Sequence, residues 1–177
     1  LLKSGANIED RALNGFTPLM FAAKNASPEV LKLVLASGAN QEDRDANGGT
    51  ALMSAAYDNS NPKVIRALLT AGQSIDARDS NGGTALMSAA YNNLNPEVLS
   101  LLLEAGAQIN AQDNDGMTPL MWAAKHSSNP DVIAALLKAG ANGKLTSKEG
   151  KTAGAYADEN EKLKGTAQYW DLNNARF

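Results

Sequence analysis

The sequence predicts an all-α solenoid in which helix-turn-helix units stack in a row. The first observation behind this prediction is a fixed period, because five threonines recur at separations of 33, 34, 34 and 34 residues. The second is that a glycine-containing turn precedes each threonine, and the third is that two helix-type segments follow four of them. Such a period is typical of architectures whose units pack only against their neighbours. The threonines are Thr17, Thr50, Thr84, Thr118 and Thr152.

The clearest unit occupies residues 113–142, and its first half predicts a turn followed by a helix. Asp113 and Gly116 suit the first and fourth places of a type I turn. Thr118 can cap the helix through its hydroxyl, and Pro119 occupies the first helical place, where a missing N–H costs nothing.

The second half of this unit predicts another helix with clear ends. Asn129 can cap it, and Pro130 presets the backbone of its first residue. The helix should end at Gly140, because glycine takes the left-handed conformation without a steric penalty. We expect a positive φ there and at the equivalent Gly72 and Gly106.

Four first-helix segments share one motif, which reads TPLMFAA, TALMSAA, TALMSAA and TPLMWAA. With its Gly turns and its period, the chain resembles the ankyrin-repeat family. The tetratricopeptide architecture has a similar period but expects a Trp and a Gly inside the first helix, and it lacks this turn. The resemblance implies β-hairpin-like loops and a concave surface, made by first helices and hairpin tips, that binds other proteins. The second helices would form the convex back.

We predict a single domain of four complete repeats between a partial repeat and a cap. The second helix of repeat one should start at Pro28, after the cap residue Ser27. The segment from Leu1 to Asn7 matches the tail of a second helix, so we expect at least one more helix upstream. The predicted boundaries are 1–11 for the partial repeat, 12–44, 45–78, 79–112 and 113–146 for repeats one to four, and 147–177 for the C-terminal capping repeat.

The apolar positions predict which faces are buried. Val98, Leu101 and Leu102 lie at helical spacing, so the second helix should be wedged between neighbouring repeats. The family usually carries His after Pro-Leu, but methionine occupies that place in every complete repeat, and we expect an apolar packing ladder. Isoleucines should anchor the hairpins. The methionines are Met20, Met53, Met87 and Met121, and the isoleucines are Ile8, Ile75 and Ile109.

The final segment keeps the turn and the threonine but becomes polar after residue 157, which favours a capping role. Thr166 should cap the closing helix. Tyr169, Trp170 and Leu172 are then expected to cover the exposed side of repeat four.

Composition limits the class of partner. The net charge is −3 with acids and bases interspersed, so no basic surface for nucleic acid is indicated. No apolar run has the length of a membrane span, and we expect no membrane insertion. The absence of cysteine excludes disulfides but leaves both a cytoplasmic and an exported location open. We therefore expect a monomer whose partner is another protein.

The sequence offers no arrangement of catalytic, cofactor-binding or metal-binding residues. His126 is the only histidine, and an exposed helix end accounts for it without catalysis. The Asp113 to Gly116 turn lacks the first and last carboxylates of a calcium loop, and the Gly-Gly pairs lack the lysine of a phosphate loop. The pairs Arg44-Asp45 and Arg78-Asp79 are expected to be solvated charge of little energetic value. We predict that the protein is not an enzyme.

The predicted binding surface combines aromatic walls with a floor of small residues. Gly49 and Ser54, like Gly83 and Ser88, occupy columns that hold large side chains in repeats one and four. We expect a shallow trough about two repeats wide on the concave side. The alternative is that the small residues merely let the hairpins pack closely, with the large side chains partly buried. The predicted contacts are Phe16, Phe21, Tyr57, Asp58, Tyr91, Asn92, Met117, Trp122, Lys125 and His126, with Phe16 and Met117 projecting from the turns.

Two functions fit this reading. The first is a protein-protein interaction module that binds its partner on the concave face. The second is a regulatory or targeting segment of a longer enzyme or secreted effector.

Overall fold

The computed structural model describes residues 7–25 and 27–174. The helix end predicted before Asn7 therefore lies outside the described residues. The described chain forms ten helices in the order the sequence predicts. They are α1 Pro18–Asn25, α2 Pro28–Ala36, α3 Ala51–Asp58, α4 Pro62–Thr70, α5 Ala85–Asn92, α6 Pro96–Glu104, α7 Pro119–His126, α8 Pro130–Lys138, α9 Ala153–Ala157 and α10 Ala167–Asn174.

The helices stack in two layers, which confirms the all-α solenoid. The first helices α1, α3, α5, α7 and α9 each pack on the next, and the second helices α2, α4, α6 and α8 form the other layer. The intervening turns are hairpin-like, as where Asp45 N–H donates to Gly49 O at 3.0 Å, although no strand occurs among the described residues. The repeat boundaries themselves stay a prediction.

Helix caps follow the sequence with one exception. The hydroxyl of each period threonine accepts a hydrogen bond three residues on, as in Thr118 from Met121 N–H at 3.2 Å. Asn129 caps its helix as predicted, and so do its two equivalents. The prediction for Ser27 is wrong, because its side chain accepts no capping hydrogen bond and instead bonds the Glu29 carboxylate.

The core runs continuously along the stack. The methionine column is buried in all four units, which confirms the packing ladder. Met121 Sδ also accepts the Thr118 N–H at 3.5 Å. Val64, Val98 and Val132 are fully buried. Their equivalent in α2, Val30, is 48 % exposed because no described helix packs on that side of the stack. The three isoleucines are partly buried against the core, as expected.

A ladder of buried asparagines, which the sequence pattern does not predict, joins successive units. Asn93 Nδ2 donates to Ala56 O at 2.8 Å and to Asn59 O at 3.2 Å, across one whole repeat. Asn59 and Asn160 reach back to the preceding first helix in the same way. Ser127 occupies the equivalent place after α7 and instead bonds locally to Asn129.

Arg44 and Arg78 are exposed, as expected of solvated charge, but their guanidinium groups also bond backbone carbonyls. Arg78 Nη1 donates to Gly82 O at 2.9 Å in its own turn and to Gln112 O at 2.7 Å in the next unit, and Arg44 makes the same two bonds. The neighbouring Asp79 accepts the amides of its own turn through Oδ1. These charges therefore tie turns together, because the stacking brings backbone carbonyls within reach of each guanidinium.

The C-terminal segment caps the stack largely as predicted. Helix α10 packs on α8 and α9, Leu172 is buried, and Thr166 Oγ1 accepts the Tyr169 N–H at 3.2 Å. Tyr169 is partly buried and donates its hydroxyl to Asp158. Trp170 does not cover repeat four, since it is 60 % exposed and lies on the outer side of α10.

Candidate protein-binding surface

A row of aromatic rings crosses the exposed side of three first helices. Tyr57 of α3 stacks on Tyr91 of α5 with centroids 5.6 Å apart and planes 23° apart. Tyr91 in turn contacts Trp122 of α7 at 5.6 Å and His126 at 4.5 Å. Tyr57 and Tyr91 occupy the same place in the period, whereas Trp122 and His126 lie on either side of the equivalent residue of α7, Lys125. We call these four side chains the aromatic row.

Trp122 is fixed from both sides. Its Nε1 donates to Asp113 Oδ2 at 2.9 Å, and its ring stacks on His126 with centroids 5.5 Å apart. Trp122 is partly buried against the core. This agrees, for this one residue, with the alternative that the large side chains of the end repeats are packed in place. His126 ends α7 but is only partly exposed, because its ring contacts both Tyr91 and Trp122. Burial, and next the charge of Lys125, lower its pKa below the ordinary value, so the row holds a neutral imidazole at neutral pH.

The opposite end of the surface is formed by phenylalanines. Phe16 and Phe21 meet edge to face at 5.1 Å, and Phe21 remains 49 % exposed. The prediction that Met117 projects from its turn is wrong. Met117 is 4 % exposed, because the turn folds back onto the first helix and directs this side chain into the core.

The remaining predicted contacts make bonds within the protein. Lys24 Nζ pairs with Asp58 Oδ2 at 2.9 Å, across two first helices. Asn92 Nδ2 donates to Tyr57 O at 3.1 Å. Lys125 Nζ lies 5.2 Å from the centre of the Tyr156 ring, within cation–π range. The cations of this surface therefore already have partners.

Two adjoining clefts lie between the aromatic row and the hairpin turns. One, of about 240 Å³, extends from Phe16 to Tyr57 over Gly49 and Ser54. The other, of about 260 Å³, extends from Tyr57 to Trp122 over Gly83 and Ser88. Tyr57, Asp79 and Ser88 line both, so the clefts form one continuous depression, at the place where the sequence predicts a trough. We call it the trough.

Tyr57 stands between the two clefts and is 38 % exposed. Burial, followed by the neighbouring Tyr91 and Asp58, raises the pKa of its hydroxyl above the ordinary value. The phenol is thus protonated near neutral pH and offers a partner both a ring face and an O–H donor.

Comparison with known families decides what this stack is. A model described as ankyrin repeats in three copies matches residues 1–79 and again residues 55–147. The chain belongs to the ankyrin-repeat family. Ankyrin repeats are generally protein-protein interaction modules and are typically not enzymes. A comparison with curated proteins found no match.

Two further observations bear on the chemistry of this ankyrin stack. Within residues 7–25 and 27–174, no group of three or more His, Cys, Asp or Glu side chains could hold a metal ion. None of the described helices is long and apolar enough to cross a bilayer.

Proposed function

We propose that this ankyrin-repeat chain binds a segment of a partner protein in the trough, with the aromatic row as its main contact. The observation that carries the proposal is the unbroken contact of Tyr57, Tyr91 and Trp122 beside two joined clefts. A regulatory or targeting segment of a longer enzyme or effector would use the same surface.

Energetics support the choice of contacts. Tyrosine and tryptophan offer large contact areas with few rotatable bonds, and they dominate measured interface energies. Mutual stacking and the Asp113 bond already order three of these rings before a partner arrives. A partner therefore loses less entropy on binding than it would against free side chains.

The test begins with selection from a random peptide library on the folded protein. We expect the selected peptides to lose about 2 kcal/mol of binding free energy with Tyr57→Ala and with Tyr91→Ala, as for interface hot spots. Stability should fall by about 1 kcal/mol with Tyr57→Ala, which removes one ring contact, and by about 2–3 kcal/mol with Tyr91→Ala, which removes three. Trp170→Ala is the matched control, because it removes an exposed ring from α10, away from the trough.

The opposite pattern would contradict the proposal. If the double variant at Tyr57 and Tyr91 unfolds more easily yet keeps its peptides, the row is packing and the partner binds elsewhere. Loss of binding with Trp170→Ala instead would place the interface on the C-terminal cap.

A further inference from the structure

Each hairpin residue that begins a turn has a partner nine residues later in the first helix. In the last two units the two side chains hydrogen-bond to each other. Trp122 Nε1 lies 2.9 Å from Asp113 Oδ2, and Tyr156 OH lies 2.9 Å from Ser147 Oγ. In the first unit the pair is Ala12 and Phe21, so neither side chain can form such a bond. The outer units thus fill this position with their own aromatic ring.

The two middle units lack that ring. The pairs there are Asp45 with Ser54 and Asp79 with Ser88. Each serine hydroxyl donates instead to the threonine carbonyl one turn back, at 3.2 Å. In both aspartates Oδ1 accepts two turn amides at 2.8 Å, whereas Oδ2 accepts no hydrogen bond from the described residues.

These two Oδ2 atoms face the trough. Asp45 and Asp79 line its clefts, and Asp79 lines both of them. A Cβ atom at Gly49 or Gly83 would lie 2.9 Å from the respective Oδ2, so glycine gives each carboxylate room to lie against its turn. The middle units therefore present two copies of a position that α7 fills with an indole N–H.

The chemistry of the position selects the group that fits it. The occupant must be flat, like the Trp122 indole, and must donate N–H bonds to a carboxylate oxygen. It should also be cationic, because the two carboxylates are negative and the lysines of this surface already have other partners. Lys24 is paired with Asp58, and Lys125 lies over the Tyr156 ring. Arginine alone combines a planar donor group, a fixed charge and stacking on aromatic faces, whereas lysine is a compact point charge.

The spacing of the two positions adds a constraint on the partner. Helices α3 and α5 pack directly on each other, and packed helix axes lie roughly 8–10 Å apart. A polyproline II segment has three residues per turn and rises about 3.1 Å per residue, so residues i and i+3 share a face about 9 Å apart. An Arg-x-x-Arg segment therefore matches the two carboxylates.

Resting on the function proposed above, we infer that the trough binds an Arg-x-x-Arg segment in the polyproline II conformation. One guanidinium bonds Asp79 Oδ2 beside Tyr57 and Tyr91, and the other bonds Asp45 Oδ2. The Asp79 position contributes more, because three rings of the aromatic row line the cleft that it shares with α7.

The test uses a fluorescein-labelled peptide with an Arg-Pro-Pro-Arg core, whose binding to the folded protein is followed by fluorescence anisotropy. We expect Lys-Pro-Pro-Lys, and a peptide with one proline between the arginines, to bind at least about tenfold more weakly. Asp79→Asn keeps an oxygen for the turn amides and should weaken binding by about tenfold or more. Asp131→Asn, an equal charge change on the far layer, should change binding less than about twofold.

A second variant tests the Asp79 position by filling it with a side chain of the protein itself. Ser88→Trp places in α5 the residue that α7 carries, so its indole should bond Asp79 Oδ2 and exclude the peptide. Circular dichroism and urea unfolding check that this variant is folded. Equal binding of the arginine and lysine peptides, or unchanged binding after Asp79→Asn, overturns the inference.

Peptides selected without bias from the random library separate this inference from the proposed function. If they lack an arginine pair but still lose binding with Ser88→Trp and Tyr91→Ala, the trough is the binding site and its arginine chemistry is wrong. If they bind every trough variant as well as the wild type, both proposals fail.

Discussion

Replacing Asn93 with alanine should be among the most damaging single changes in this protein. The side chain is 3 % exposed and makes three hydrogen bonds, two from Nδ2 to Ala56 O and Asn59 O and one from Asn95 N–H to Oδ1. Each is worth about 1 kcal/mol net, and the abandoned groups stay buried, so Asn93→Ala should cost about 3 kcal/mol. Urea unfolding followed by far-UV circular dichroism measures this loss.

Serine provides the matched comparison, because Ser127 already occupies the equivalent place. Ser127 Oγ accepts the Asn129 N–H at 3.1 Å but makes no bond to the preceding first helix. Asn93→Ser should therefore keep one bond of three and cost about 2 kcal/mol, whereas Ser127→Asn should add the missing bonds and stabilise by about 1 kcal/mol. A loss below about 0.5 kcal/mol in Asn93→Ala would refute the reasoning.

The remaining stability predictions are also measured by urea unfolding. Gly106 has φ 93°, and an added Cβ would meet no atom within 4 Å, so Gly106→Ala should cost about 1 kcal/mol from backbone strain alone; no loss would contradict this. Met87→Ala should cost about 2 kcal/mol, the low end for such a truncation, because Met87 also borders the trough; wild-type stability would show that it is not packed. Arg78→Ala should cost about 1–2 kcal/mol and Arg78→Gln almost nothing, since glutamine makes the same two bonds one unit later; equal losses would refute the bridging role. The pKa of His126 is lowered in the folded protein, so the unfolded chain takes up the proton first as the pH falls. The stability that neutral His126 contributes above about pH 6.5 therefore declines below that value. His126→Gln should flatten that part of the pH profile between about pH 7.5 and pH 5.5, and an unchanged slope would show that another group causes it.

Features repeated along the chain could be predicted from the sequence. The threonine caps, the buried methionine column and the left-handed glycines depend on residues close together in the chain. Gly72, Gly106 and Gly140 have φ of 101°, 93° and 92°, as expected. The fold can therefore be predicted from periodicity, whereas the trough is predicted from the small residues that distinguish the middle repeats from the end repeats.

Contacts between units could not be predicted in the same way. An asparagine in a connection is typical of an exposed loop, and only the stacking brings Asn93 to a carbonyl 37 residues away. The prediction for Met117 is wrong because the direction of a side chain after a turn depends on how the turn folds onto its helix. The Trp122 bond to Asp113 likewise depends on a ring orientation that spacing does not determine.

The two tryptophans allow a direct test of whether a partner segment occupies the trough. Trp122 forms one wall of the trough, whereas Trp170 is exposed on α10 and serves as an internal control. A ¹H–¹⁵N NMR titration with a bound peptide follows both indole N–H signals at once. We expect the Trp122 signal to shift with the occupancy of the peptide while the Trp170 signal stays in place. A peptide that binds and moves only the Trp170 signal, or neither signal, would contradict it.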